Sequence, residues 1–154
     1  MELADILAER AVLTCTDVKT KHQLFEHLAA KAAELTGRSK AELLEAIENR
    51  EELGSTGLGN GIAIPHGKVG GLNRVCAVFA KLDTPIEFDA IDDLPVDLVM
   101  MLLAPTGSGA DHLKALSRVA RVLRNETVVE ELRRLDSHDA IYSVLTAPQE
   151  SYAA

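Results

Sequence analysis

The chain has 154 residues, 47% hydrophobic and 26% charged, which is the balance of a soluble globular protein with one full core. Its net charge of −8 and pI near 5.1 argue against a nucleic-acid-binding protein, which would need clustered Lys and Arg. No apolar run approaches the roughly 20 residues of a membrane helix, and the N-terminus does not resemble a signal peptide. Cys15 and Cys76 lie far apart in apolar segments, so we expect a reduced, cytoplasmic protein.

The first half of the chain predicts helices around one extended segment. Residues 3–7 suggest a short helix, and residues 11–15 an extended stretch. Thr20 to Gly37 has a capping residue, an apolar stripe of helical period and a terminating glycine. Ser39 to Gly54 repeats this pattern, so two amphipathic helices are predicted in succession.

The second half predicts several strands followed by helices. The segment 96–103 is almost continuously apolar, which favours a strand covered on both faces. Other strands are predicted at residues 62–64, 75–80 and 86–88, and later helices after the turn at 105–109, at a Thr127 cap and at a Ser137 cap. The pattern predicts an α/β fold, bordering on α+β, with a sheet between helical layers in a single domain over residues 1–154. Residues from about 148 onward are expected to fray.

The stretch GSTGLGNGIAIPHGK, residues 54–68, concentrates glycine. Seven of the ten glycines fall between Gly54 and Gly71. Glycine allows positive φ and close approach of another molecule, at an entropic cost to folding. We therefore expect a loop shaped for function.

The spacing within this stretch argues against nucleotide binding. A phosphate-binding P-loop would need a glycine where Ile62 stands and a Ser or Thr where Val69 follows Lys68. The dinucleotide pattern fails because its third glycine comes one position early, and because the loop follows a helix and not a strand. We expect no nucleotide cofactor.

Metal binding and serine hydrolysis are also disfavoured. The five histidines form no pair at helical spacing and no cluster with cysteine, so neither a metal site nor a cofactor is expected. His22, His27 and His138 are predicted to be surface residues. Ser55 follows a helix end and lacks the Gly-x-Ser-x-Gly elbow of hydrolases, which argues against a triad with His66.

Three residues are candidates for chemistry. His66 lies between Pro65 and a glycine, after a predicted buried strand, so its imidazole would be rigidly presented. His112 falls in the first turn of a predicted helix, where the helix dipole disfavours imidazolium; a solvated surface residue is the slightly favoured alternative. Arg50 precedes the glycines and could bind phosphate oxygens with its guanidinium fork, or could be an exposed helix residue.

The segment REELGSTGLGNGIAIPHGK, residues 50–68, resembles the active-site region of enzyme IIA domains of the phosphotransferase system, of the fructose/mannitol type. The resemblance continues through residues 84–99 and 111–123, and it covers nearly the whole chain. It is strongest to the stand-alone nitrogen-regulatory branch. The resemblance implies a mixed sheet flanked by helices on both faces.

By the same resemblance, His66 matches the phosphorylated histidine, His112 the second active-site histidine and Arg50 the active-site arginine. The binding loop matches Ser55, Thr56, Gly57 and Gly59. The chain is then expected to accept a phosphoryl group from an HPr-like phosphohistidine donor. No metal, nucleotide, nucleic acid or membrane insertion is expected.

Two functions remain open under this resemblance. The first is a regulatory switch whose phosphorylation state changes its binding to targets such as potassium-transport or sensor-kinase proteins. The second is a sugar-uptake component that passes phosphate to a IIB domain. The absence of fused IIB, IIC or HPr-like segments favours the first.

Overall fold

The computed structural model describes residues 1–148. The chain begins with a 3₁₀ turn at Leu3–Asp5. The strands are β1 (Leu7–Cys15), β2 (Gly57–Gly59), β3 (Ile62–Ala63), β4 (His66–Val69), β5 (Cys76–Ile86) and β6 (Val96–Pro105). The helices are α1 (Lys21–Thr36), α2 (Lys40–Glu52), α3 (Gly109–Leu123), α4 (Glu126–Arg134) and α5 (His138–Leu145).

The strands form one mixed sheet in the order β1-β5-β6-β3-β2, with β4 also paired to β6. The β5 and β6 strands are antiparallel, whereas β1 runs parallel to β5 and both β3 and β4 run parallel to β6. Strand β6 is therefore central. It is almost wholly buried, which explains its unbroken apolar sequence.

Helices cover both faces of this sheet, as the sequence predicted. Helices α1 and α2 pack on each other and against β5 and β4, whereas α3, α4 and α5 form a second group that contacts β6 and β1. Capping is local: the Thr20 side chain accepts the Gln23 N–H, and Gly37 ends α1 with φ of +75°. The apolar faces of both groups join the sheet in a continuous core.

Several local predictions need correction. The segment 3–7 forms only a 3₁₀ turn, after which β1 begins at Leu7. Helix α4 is capped by Asn125, whose side chain accepts the Val128 N–H, and not by Thr127, which lies within the helix. The segment 86–88 is not a separate strand, because β5 runs on to Ile86 before the chain leaves the sheet.

The glycine-rich stretch contains more sheet than its composition indicated. Its residues 57–59 form β2, and His66 begins β4 instead of standing in a loop after a strand. Backbone pairing to neighbours stabilises these segments despite their poor strand propensity. Most of the predicted frayed tail, residues 149–154, lies outside the described residues.

Candidate active site around two histidines

An interruption in the sheet sets the position of His66. Strands β3 and β4 lie end to end along the same edge of β6: Ala63 pairs with Val99, and His66 pairs with Leu102. Between them stands Pro65, which has no N–H to give to the ladder, although its carbonyl accepts from the Leu102 N–H. The chain therefore deviates for two residues and then resumes the ladder at His66.

This deviation gives the His66 ring a backbone partner. Nδ1 of His66 lies 2.8 Å from the carbonyl oxygen of Ile64. A carbonyl can only accept, so Nδ1 carries the proton. In the neutral ring, Nε2 then holds the free lone pair.

The surroundings of His66 favour this neutral ring. Burial is the main cause that lowers the pKa of His66 below its usual value, and the positive charge of Arg50 lowers it further. The Ile64 carbonyl and the Glu51 carboxylate act in the opposite direction and raise the pKa. Because the net shift is downward, His66 is a nucleophile without first losing a proton at neutral pH.

His112 lies against His66. The ring centroids are 5.5 Å apart at an interplanar angle of 70°. His112 is only 6% exposed, so the alternative of a solvated first-turn residue is wrong. Burial lowers the pKa of His112 first, followed by the charges of His66 and Lys68.

One ring nitrogen of His112 is left without a hydrogen bond within the described residues. Its Nε2 is buried and has no hydrogen-bond partner among residues 1–148. A buried polar nitrogen without a partner is costly unless a ligand or water satisfies it. The two neighbouring rings thus offer a nucleophilic nitrogen and an unused hydrogen-bonding nitrogen.

Arg50 lies in the last turn of α2, where a cation suits the helix dipole. Its Nη1 donates to the Gly54 carbonyl at 2.9 Å. Its effect on the pKa of His66 shows that its charge is felt at that ring. Arg50 therefore joins the end of α2 to the glycine-rich stretch and supplies positive potential to the site.

Glu51 is a member of the site that sequence reasoning missed. Its carboxylate accepts from the Thr56 N–H at 3.0 Å and from the Thr56 hydroxyl at 2.6 Å, and Lys21 lies 2.9 Å away. The Glu51 side chain is only 6% exposed. A signal was available: Glu51 continues the four-residue spacing of the buried Leu43 and Ile47 on α2.

The four predicted loop residues have structural partners. The Ser55 hydroxyl donates to the Phe88 carbonyl and accepts from the Gly57 N–H, both at 3.1 Å. The N–H of Thr56 and that of Gly57 are thus already paired. Gly57 packs so tightly that an added Cβ would lie 2.7 Å from the Cβ of Ala90. Gly59 is buried near Asp92 with φ of +99°.

Hydrogen bonds and an ion pair fix the turn before β3. Asn60 and Gly61 both have positive φ, of 58° and 82°. The Asn60 N–H donates to Asp92 at 2.9 Å, and its carbonyl accepts from Arg133 at 2.6 Å. Arg133 is itself held by two close contacts to Asp97. The segment leading to His66 is therefore anchored on both sides.

The other three histidines lie outside this arrangement. His22, His27 and His138 are exposed, as predicted. Within residues 1–148, no group of three or more His, Cys, Asp or Glu side chains is placed to hold a metal ion. No helix in that range is long and apolar enough to span a bilayer.

Comparison with known proteins identifies the family. The model of the "Phosphoenolpyruvate-dependent sugar phosphotransferase system, EIIA 2" family matches residues 5–147. The chain belongs to this EIIA family. A nitrogen regulatory protein of Bradyrhizobium diazoefficiens is 49% identical over 148 residues, with 96% of this chain and 97% of that protein covered.

A solved structure and a sugar-system protein extend the comparison. The crystal structure of nitrogen regulatory protein IIA-Ntr from Neisseria meningitidis matches with a TM-score of 0.87 and 33% identity, covering 94% of this chain and 99% of that one. The fructose-specific EIIABC component of Bacillus subtilis is 31% identical over 148 residues, which is 94% of this chain but 23% of that protein. The EIIA fold and the likeness to nitrogen-regulatory proteins predicted from sequence are thereby confirmed.

Proposed function

We propose that this EIIA protein is a phosphoryl carrier that accepts phosphate on Nε2 of His66 from an HPr-like phosphohistidine donor. The observation that carries the proposal is the Nδ1 hydrogen bond to the Ile64 carbonyl, which directs the free lone pair to Nε2. Burial keeps that ring neutral and therefore nucleophilic.

The transfer exchanges one P–N bond for another. The Nε2 lone pair of His66 forms a bond to phosphorus while the bond to the donor's ring nitrogen breaks, and that nitrogen keeps the electron pair. The His66 ring becomes positive as the bond forms. The Ile64 carbonyl and the Glu51 carboxylate both favour a positive ring, since both raise its pKa. No proton has to leave His66 during attack.

His112 and Arg50 would stabilise the transferred group. Phosphoryl transfer depends chiefly on positioning and on electrostatic stabilisation of peripheral oxygens. With its proton on Nε2, His112 can donate to such an oxygen and so satisfy its unpartnered buried nitrogen. Arg50 contributes positive potential, and Ser55, Thr56, Gly57 and Gly59 shape the surface beside it. Because the Thr56 and Gly57 N–H groups are already paired, their role is to hold this shape.

Exposed apolar side chains offer a place for the donor to dock. Leu53 and Leu58 belong to the segments that adjoin Arg50 and the glycines, and they are 85% and 40% exposed. Ile91 and Leu94 lie on the neighbouring segment and are 83% and 50% exposed. Large exposed apolar side chains grouped on adjoining segments are typical of protein-binding surfaces. We propose that they contact the HPr-like donor.

The biological output we propose is regulation. Phosphorylation adds nearly two negative charges to the surface at His66 and can abolish or create docking of a partner. The 49% identity to a nitrogen regulatory protein supports this regulatory role. The targets we propose are proteins such as potassium-transport or sensor-kinase proteins, and the proposed location is the cytoplasm. The similarity to a fructose-specific EIIABC component favours the alternative, transfer onward to a IIB domain.

Reconstitution with purified partners tests both readings. The phosphorylated donor is mixed with wild type, with His66→Ala and with the control His27→Ala. Intact-protein mass spectrometry then shows whether each has gained a phosphate. We expect wild type and the control to gain one phosphate and His66→Ala to gain none. Addition of a fructose-type IIB domain then tests the alternative: rapid loss of the phosphate to that domain would favour sugar uptake, and retention would favour regulation.

A further inference from the structure

The outer face of α3 is basic in an acidic protein. Residues 111–124 contain four basic side chains and one acid, a net charge of +3 in a chain of −8. The basic side chains are Lys114, Arg118, Arg121 and Arg124. They lie opposite the buried face of the helix, which consists of His112, Ala115, Val119, Val122 and Leu123.

These cations have no acidic partners within residues 1–148. None of the four lies in an ion pair there, and the only hydrogen bond shown for their side chains in that range is from Arg118 Nε to the Met1 carbonyl, at 3.0 Å. The helix dipole favours Arg121 and Arg124 near the C-terminus of α3. It gives no reason for Lys114 in the first half of the helix. The charges are therefore free to meet an acidic partner.

Apolar side chains lie between these charges. Leu113 is 68% exposed and Met1 is 41% exposed, and Leu116 and Ala120 are half-buried beside them. Two shallow depressions of about 350 and 730 Å³ flank this line of residues. An apolar centre with a charged rim is the composition of a protein-docking surface.

We infer that this face of α3 docks an acidic amphipathic segment of a partner protein, with carboxylates on the basic rim and apolar side chains on Leu113 and its neighbours. A nucleic acid would leave the exposed Leu113 without an apolar partner. A polyanionic membrane or duplex would extend over the acidic remainder of the surface, so the net charge of −8 would repel it more strongly than a short acidic segment. The surface is separate from the phosphoryl chemistry, because His112 turns its ring inward to His66 while Leu113 faces out.

Titration with a defined probe tests this assignment. The probe is a synthetic helical peptide with leucines along one face and glutamates elsewhere. Its binding is monitored by ¹H–¹⁵N NMR of the full chain, in the absence of any phosphoryl donor. A peptide of the same composition in scrambled order and one with lysine for glutamate are the comparison probes. We expect shifts confined to residues 113–124 and Met1, and affinity that falls with added salt.

Variants distinguish the contribution of the basic side chains from that of the apolar side chains between them. Lys114→Glu combined with Arg121→Glu should weaken binding about tenfold, since each exposed pair contributes modestly. The matched control, Arg10→Glu with Lys19→Glu, makes the same charge change at exposed residues elsewhere and should bind normally. Leu113→Ser should also weaken binding, whereas Ile91→Ser should not.

Several results would overturn the inference. They are equal loss of affinity in the control pair, equal binding of the scrambled peptide or the lysine peptide, and tighter binding of a DNA duplex or of phosphatidylglycerol vesicles. These outcomes are independent of phosphoryl transfer, because the donor is absent. A failure here would leave the proposed role of His66 intact.

Discussion

Replacement of Glu51 tests how the site is held together. In Glu51→Ala, the Thr56 N–H and hydroxyl lose their acceptor and Lys21 loses its ion pair. A hydrogen bond to a charged group contributes about 1.5–3 kcal/mol, and a buried donor left unsatisfied costs about 1–3 kcal/mol. Lys21 is 24% exposed and can be solvated again, so the Thr56 contacts dominate. We expect a loss of about 3 kcal/mol in the free energy of unfolding.

The expected loss is measurable by thermal denaturation. For a domain of this size, 1 kcal/mol lowers Tm by about 2–4 °C, which predicts a decrease of about 6–12 °C. Glu52→Ala is the matched control, because Glu52 is the exposed next residue on α2 and should leave Tm nearly unchanged. Glu51→Gln keeps an acceptor and should cost less than the alanine variant.

A second readout separates the charge of Glu51 from its structural role. The Glu51 carboxylate raises the pKa of His66, so in Glu51→Gln the NMR titration of His66 should move to lower pH. The Glu52→Gln titration should match wild type. An unchanged Tm in Glu51→Ala together with an unchanged His66 titration in Glu51→Gln would refute this role of the buried carboxylate.

Three further predictions concern the same site. Both histidines have folded pKa values below the usual 6.5, so the unfolded state binds more protons than the folded state below that pH. The free energy of unfolding, measured in urea, should therefore be highest above about pH 6.5 and fall as the pH decreases, less so in His112→Asn than in wild type. A constant free energy of unfolding between about pH 7.5 and 5 would contradict this argument. His112→Asn should slow phosphorylation about tenfold or more without abolishing it, measured by single-turnover transfer; an unchanged rate would remove His112 from the mechanism. Gly57→Ala should lower Tm, because its Cβ would lie 2.7 Å from that of Ala90, whereas Gly70→Ala, with open space around it, should not.

The sequence was most informative where a pattern is local. The caps at Thr20 and Ser39 and the apolar period between them predicted α1 and α2 nearly to the residue. The apolar run of β6 predicted a doubly covered strand. Such features depend on residues a few positions apart, whose preferences are the same in any surrounding fold.

The sequence was least informative where pairing is distant. Strands β2 and β4 consist of glycine-rich segments that are ordered by neighbours in the sheet, so their own propensity does not show them. The capping spacing of Thr127 and Glu130 in the sequence predicts a cap at Thr127, but Asn125 provides the hydrogen bond to the helix. Burial of His112 depends on how α3 packs against β6 and on the contact of its ring with His66, which no local spacing reports.

The site shows the same division. The residue types at His66 and Arg50 could be singled out from the glycine-rich context. The position of the proton on Nδ1 of His66 could not be predicted from the sequence. It depends on the interruption at Pro65, which turns the Ile64 carbonyl toward the ring. Glu51 was hidden because an acid near a helix end ordinarily lies in solvent, and only its contact with Thr56 explains its burial.

The most direct test of the account is the location of the phosphate after transfer from the HPr-like donor. Long-range ¹H–¹⁵N NMR on the phosphorylated protein distinguishes the two ring nitrogens of His66. The account predicts phosphate on Nε2, with the Nδ1 proton retained against the Ile64 carbonyl. Phosphate on Nδ1, or phosphorylation that persists in His66→Ala, would contradict it.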